Sequence, residues 1–141
     1  MVRVKYERAP DVCKLVSLLT NLKELSHIDP SRIRCVKSTG AKTRAIARIY
    51  GLPGAWIAAG LEPGYVIEVV TERFYRLPPE ERVRVIIHEL LHIPRTFSGA
   101  LRPHNPYVSE ARVEGLYRLA QERLGIAERA RELWQTNGQT K

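Results

Sequence analysis

The sequence predicts an α+β fold, a small mixed sheet of about three strands packed against a helix over residues 79–93, with further helices following. Three observations carry that prediction: an apolar helical stripe near the start, short β-branched runs in the middle, and helical patterns in the last third. At 141 residues the chain reads as a single domain, 1–141, long enough for its own hydrophobic core. A hydrophobic fraction of 44% and a charged fraction of 27% exclude a globally disordered chain.

The first helix is expected over residues 10–26. Pro10 and Asp11 suit a first turn, and Val12, Leu15, Val16, Leu18, Leu19, Leu22 and Leu25 lay down a broad apolar stripe. Asp29-Pro30-Ser31 breaks it, and His27 just beyond is read as a surface or C-cap residue. Ile33 to Lys37 reads as a short strand closed by a Ser38-Thr39-Gly40 turn. Residues 43–50 alternate poorly, with Ala45, Ala47 and Ile49 against Arg44 and Arg48, which suits a strand near an edge. A glycine- and proline-rich loop spans 51–64, with one helical turn around Trp56. Tyr65 to Val70 is the strongest strand, short and mostly β-branched.

Pro78-Pro79-Glu80-Glu81 opens the next helix, with prolines at its entry and acids where the helix dipole favours them. It should run to about Ile93, because Pro94 disfavours helical backbone before it. Asn105-Pro106 reads as the N-cap and first residue of a third long helix ending near Gly125. A last amphipathic helix is expected over 126–135, with 136–141 a frayed tail.

Cys13 and Cys35 lie far apart and outside any Cys-x-x-Cys pattern, so they read as buried thiols rather than a bridge or a metal pair. No run of about 18 apolar residues occurs and no basic–apolar–small pattern opens the chain, so a cytoplasmic protein without membrane spans is expected. The net charge of +8 implies nonspecific attraction to nucleic acid at low salt. No Lys/Arg block reaches five, however, and no aromatic–basic interleaving along the chain resembles a stacking surface.

The chemistry concentrates in His88-Glu89-Leu90-Leu91-His92. Four residues turn a helix by about 400°, so the two imidazoles return to one face one turn apart. From there two nitrogens can reach one zinc ion at about 2.0–2.1 Å. Glu89 lies about 100° round the helix from His88, placed to flank the ion as a general base acting on water. Val83, Ile86, Ile87 and Leu90 form the opposite, apolar face, which should pack on the sheet and hold the histidines rigidly. His104, between Pro103 and the Asn105-Pro106 helix start, is the favoured third ligand, leaving a fourth position open for water as in catalytic zinc sites. Glu110 and Glu114, one helical turn apart, are the rival third ligands, or else orient a ligand histidine. Tyr107 and Arg102 are the nearest candidates to steady an oxyanion.

The segment from Val66 to His104, with its β-rich run, Leu-Pro-Pro-Glu-Glu, and His-Glu-Leu-Leu-His-Ile-Pro, resembles the zincin metallopeptidases. The likeness is greatest to small metallopeptidases of archaea and phages, with SprT-like proteins more distant. It implies a zincin α+β fold, a strand along the rim of the substrate cleft, ligand roles for His88 and His92, and the base role for Glu89. The third histidine follows His92 by twelve residues, where metzincins place it six on. The expected activity is hydrolysis of a peptide or protein substrate with one zinc per chain. The alternative is a zinc-containing noncatalytic module associated with a partner or with nucleic acid. The loops 51–64 and 94–104 are the expected cleft walls.

Overall fold

The computed structural model describes residues 3–138. In chain order the elements are β1 (Lys5–Arg8), α1 (Pro10–Leu19), β2 (Ile33–Thr39), β3 (Ala47–Gly51), α2 (Gly54–Ala58), β4 (Tyr65–Val70), α3 (Thr71–Phe74), α4 (Pro79–Leu90), α5 (His104–Tyr107), α6 (Glu110–Leu124) and α7 (Ile126–Gly138). The class is α+β, with a mixed sheet of four strands in the order β1-β2-β4-β3. β1 and β3 run antiparallel to their neighbours, while β2 and β4 are parallel. None of the helices is long and apolar enough to cross a membrane, among the described residues.

The apolar run of β4 fits the centre of the sheet, where strands flank it on both sides. Tyr65, Ile67 and Val69 point into the core, against α1 and α4. β3 takes the edge, as its weak alternation suggests. The strand missing from the sequence reading is β1: Lys-Tyr-Glu-Arg is exposed at all four positions and joins through backbone hydrogen bonds, leaving no apolar period to detect.

Several boundaries moved for local reasons. α1 ends at Leu19 rather than 26, where the Thr20 hydroxyl and the Asn21 amide both donate to the Ser17 carbonyl (3.1 and 3.4 Å) and compete with the helical ladder. Leu22 and Leu25 are still buried, carried by a turn and a short 3₁₀ segment. β2 extends through Ser38 and Thr39, and only Gly40, at φ 85°, makes the turn. The long helix after the site begins at Glu110, not Asn105, because Ser109 is its N-cap and accepts from the Arg112 N–H (3.2 Å). It ends at Gly125 in the left-handed conformation, as expected. α7 runs to Gly138, past the expected end at 135; the remainder of the tail expected to fray, 139–141, lies outside the described residues.

The cysteines correct the sequence reading outright. Cys13 on α1 and Cys35 on β2 form a disulfide, their Cα atoms 5.7 Å apart. Spacing hid the pair, because the packing of α1 on β2 brings the two positions together.

A second tie closes the helical layer. Asp11 at the start of α1 accepts from the Tyr75 hydroxyl (2.7 Å) and the Trp134 indole (2.8 Å), linking α1 to α7. The Arg82 guanidinium from α4 lies over the Trp134 ring, 4.9 Å from its centroid.

Candidate metal centre

The site is built on α4, whose Val83, Ile86, Ile87 and Leu90 have no exposed surface. That packing leaves His88 on the opposite, half-buried side. The helix ends at Leu90, so His92 sits just past it rather than within it. The winding continues all the same: the Leu91 N–H donates to Ile87 (3.0 Å) and the His92 N–H to Glu89 (3.1 Å). His92 therefore still falls about one turn beyond His88.

His92 is then locked from the other side. Its Nδ1–H donates to the Arg102 carbonyl (2.7 Å), and the Arg102 N–H donates to the His92 carbonyl (2.7 Å). With Nδ1 engaged, Nε2 is the nitrogen left free for a ligand. The Arg102 guanidinium donates to the Leu91 carbonyl (3.0 and 3.3 Å) and lies over the Tyr107 ring at 4.6 Å. Arg102 thus fastens the loop to the helix end, and its guanidinium is committed there rather than aimed at a reacting carbonyl. Tyr107 remains partly exposed.

Two further anchors were not legible in the sequence. The Tyr65 hydroxyl, on the central strand, accepts from Gly99 N–H (2.8 Å) and donates to the Ala100 carbonyl (2.8 Å). Gly99 has φ 92°, and a Cβ there would meet the Ile57 side chain at 2.7 Å, so the loop closes only with glycine. His27, expected at the surface, is half-buried and its Nε2–H donates to the Ile93 carbonyl (3.2 Å), steadying the turn beyond His92. Burial holds its pKa below the ordinary histidine value.

Pro103 leads into His104, the first residue of α5, and the chain thereby returns His104 to the helix end. Nitrogens of His88, His92 and His104 all lie within 4.8 Å of one another. Ring centroids are 5.4 Å apart for His88 and His92, 5.3 Å for His88 and His104, and 4.5 Å for His92 and His104. Burial, with the neighbouring imidazoles, holds His88 below its ordinary pKa and favours the neutral, ligating form. Three imidazoles converging at that separation suit a transition-metal cation.

Glu89 is 7% exposed, and burial pushes its carboxyl up to about 8. It lines, with His88, a cleft of about 940 Å³. The walls of that cleft are residues 44–47 at the start of β3 and the first turns of α6. The loops expected as walls, 51–64 and 94–104, instead pack on each other where Gly51 meets Gly99 and Leu101. Glu110 and Glu114 line the cleft but stand outside the histidine cluster. Glu114 accepts from Arg84 (2.9 and 3.4 Å), which also holds Glu81 (2.8 Å). The guanidinium keeps the Glu114 carboxyl below its ordinary pKa.

Fold and site together define an α+β protein with a three-histidine centre able to bind a metal, beside an open cleft. Residues 4–131 match the family described as "Putative phage metallopeptidase", and the chain belongs to that family. No curated protein and no solved structure matches it.

Proposed function

We propose that this protein is a zinc-dependent metallopeptidase of the zincin type, in which His88, His92 and His104 hold one zinc ion and Glu89 is the general base. The observation that carries the reading is the convergence of the three histidines, from a helix end and a separate loop, to within 4.8 Å. Membership of a metallopeptidase family supports the peptidase activity. The donor set fits zinc: three imidazoles, one of them oriented by a backbone carbonyl, with no fourth protein ligand in the cluster among the described residues. When bound, zinc supplies a Lewis acid that polarises a carbonyl and acidifies water.

The chain's own residues supply the rest. A peptide lying in the cleft beside the edge strand β3 has its scissile carbonyl presented to His88 and Glu89. Glu89, which a cation bound beside it would hold ionised against its burial, accepts the proton of the attacking water and returns it to the leaving amine. Its near-complete burial keeps bulk water from competing for that proton. Tyr107 is the better candidate to steady the oxyanion, since the Arg102 guanidinium is engaged at Leu91. Glu110 and Glu114 shape the charge of the cleft wall rather than bind the ion.

The test is zinc per chain by elemental analysis of the wild type, His104→Ala and a Glu110→Ala/Glu114→Ala double variant, purified without added metal. The expected result is one zinc in the wild type, lost with His104 and kept without the glutamates. Retention without His104 and loss without the glutamates would move the third ligand to α6. No zinc in any sample after reloading would end the metallopeptidase reading.

A further inference from the structure

We propose that the outer face of the sheet binds single-stranded nucleic acid, with Tyr6 and Tyr50 stacking bases and Arg8 and Arg34 holding the backbone. α1 and α4 cover one face of the sheet through Ile33, Cys35, Ile67 and Val69. Side chains alternate across a strand, so the positions between these point the other way. The register sets them in rows: Arg8 lines up with Val36, Glu68 and Arg48, and Arg34 lines up with Val66 and Tyr50. Tyr6 stands on the other side of the Arg8 row, beside Ser38 and Val70 and two rows from Tyr50. Val36, Val66 and Val70 lie outside the core cluster, as expected of a second, separate face.

The margins of this face are exposed, while its centre, at Ser38, Glu68 and Val70, is buried. Tyr6 is 60% and Tyr50 45% exposed, and Arg8 and Arg34 are exposed too. Arg8 and Arg34 make no ion pair among the described residues. The one acid at an outward strand position is Glu68, which is fully buried. It accepts from the Tyr50 hydroxyl (2.6 Å) and from the Arg48 guanidinium (3.1 and 3.2 Å). Its charge is therefore neutralised, and Tyr50 and Arg48 are held in place across the strands. A pinned aromatic ring loses little freedom on stacking.

Single-stranded nucleic acid is the occupant this chemistry favours. Bases stack on exposed aromatic rings whatever their sequence, and arginines follow the phosphates. Tyr6 and Tyr50 stand on the two opposite edge strands, β1 and β3, so the two tyrosines can engage separate bases of one strand. A broad four-stranded face does not enter a duplex groove, and the bases of a duplex are not free to stack. The net charge of +8 supplies the long-range attraction. An acidic polypeptide would use the arginines and leave the tyrosines idle.

The test is fluorescence anisotropy of the full chain with a labelled thymidine oligonucleotide of about 16 nucleotides at about 100 mM salt. Tyr6→Ala and Tyr50→Ala leave the net charge unchanged, and each should weaken binding by about tenfold. Tyr6→Phe should bind as the wild type does, and Tyr50→Phe should lose less affinity than Tyr50→Ala, which separates stacking from loss of the Glu68 hydrogen bond. Arg8→Ala/Arg34→Ala should weaken binding and reduce the salt slope by up to about 2, whereas Lys14→Ala/Arg129→Ala, the same charge change on the helical side, should weaken it much less. Wild-type affinity in a Tyr6→Ala/Tyr50→Ala double variant would overturn the proposal. So would equal affinity for duplex DNA, or an acidic peptide that displaces the oligonucleotide equally from wild type and tyrosine variants.

Discussion

The disulfide offers the sharpest quantitative test of the fold. Cys13→Ala/Cys35→Ala removes a link between α1 and β2 that closes a loop across a sequence separation of 22. A cross-link of that span restricts the unfolded chain by about 3 kcal/mol. For a chain of this size that corresponds to a melting temperature lower by about 10 °C. The effect acts largely through the unfolded state, so the native fold should be unchanged. Zinc content should be unchanged as well, because neither cysteine touches the histidines or the loop that holds them. The assay pairs thermal melts, with and without reductant, with thiol titration in denaturant. Oxidised protein should show no reactive thiol and reduced protein both, and reductant should lower the wild-type melt but not that of the double variant. Two reactive thiols in protein purified without reductant would refute the bridge. A double variant melting within about 2 °C of the oxidised wild type would refute the loop-closure reasoning.

Further predictions concern the site and the sheet. Glu89→Gln should keep its zinc and lose peptide hydrolysis by about 10²- to 10⁴-fold; full turnover in the zinc-loaded variant would remove the base role. Arg102→Ala keeps the backbone carbonyl that orients His92 but loses the anchor on Leu91, so chelator competition should show zinc affinity about tenfold weaker. Unchanged affinity would mean that the loop holds its shape without the guanidinium. Glu68 is depressed below its ordinary pKa: burial acts to raise it, and the bonds from Arg48 and Tyr50 outweigh that burial. A depressed carboxylate contributes stability that is present above its unfolded value of 4.5 and lost as pH falls through the folded value. Glu68→Gln should therefore be less stable than wild type at neutral pH, with the gap in urea midpoint closing under acid. A gap independent of pH would show that the carboxylate charge contributes nothing.

How much was readable differs between the site and its surroundings. His88, Glu89 and His92 span little more than one helical turn, and the winding persists past the end of α4 at Leu90, so their mutual placement follows closely from helical spacing. Pro103 and the expected Asn105-Pro106 helix start singled out His104, but its distance from the other two depends on the path of the 93–103 loop. That path is held by Tyr65 and Arg102, residues with no local signal in the sequence for such contacts. The expected N-cap at Asn105 failed because the backbone returns to the extended conformation at Val108 and Ser109, and the Ser109 hydroxyl caps the helix there.

By itself the sequence determined what short-range periodicity can encode: α4 with its buried face, the β-branched centre of the sheet, and the histidine pair. Tertiary structure alone decided the joining of Cys13 to Cys35, the recruitment of the wholly exposed β1, and the closure of the histidine loop by a tyrosine from the central strand. It also assembled Tyr6, Arg8, Arg34 and Tyr50 on one face from three strands. The physical reason is the same in each case. A residue's local pattern reports which side of its own element it occupies, whereas its partners across the sheet or the loop are chosen by packing among segments far apart in the chain.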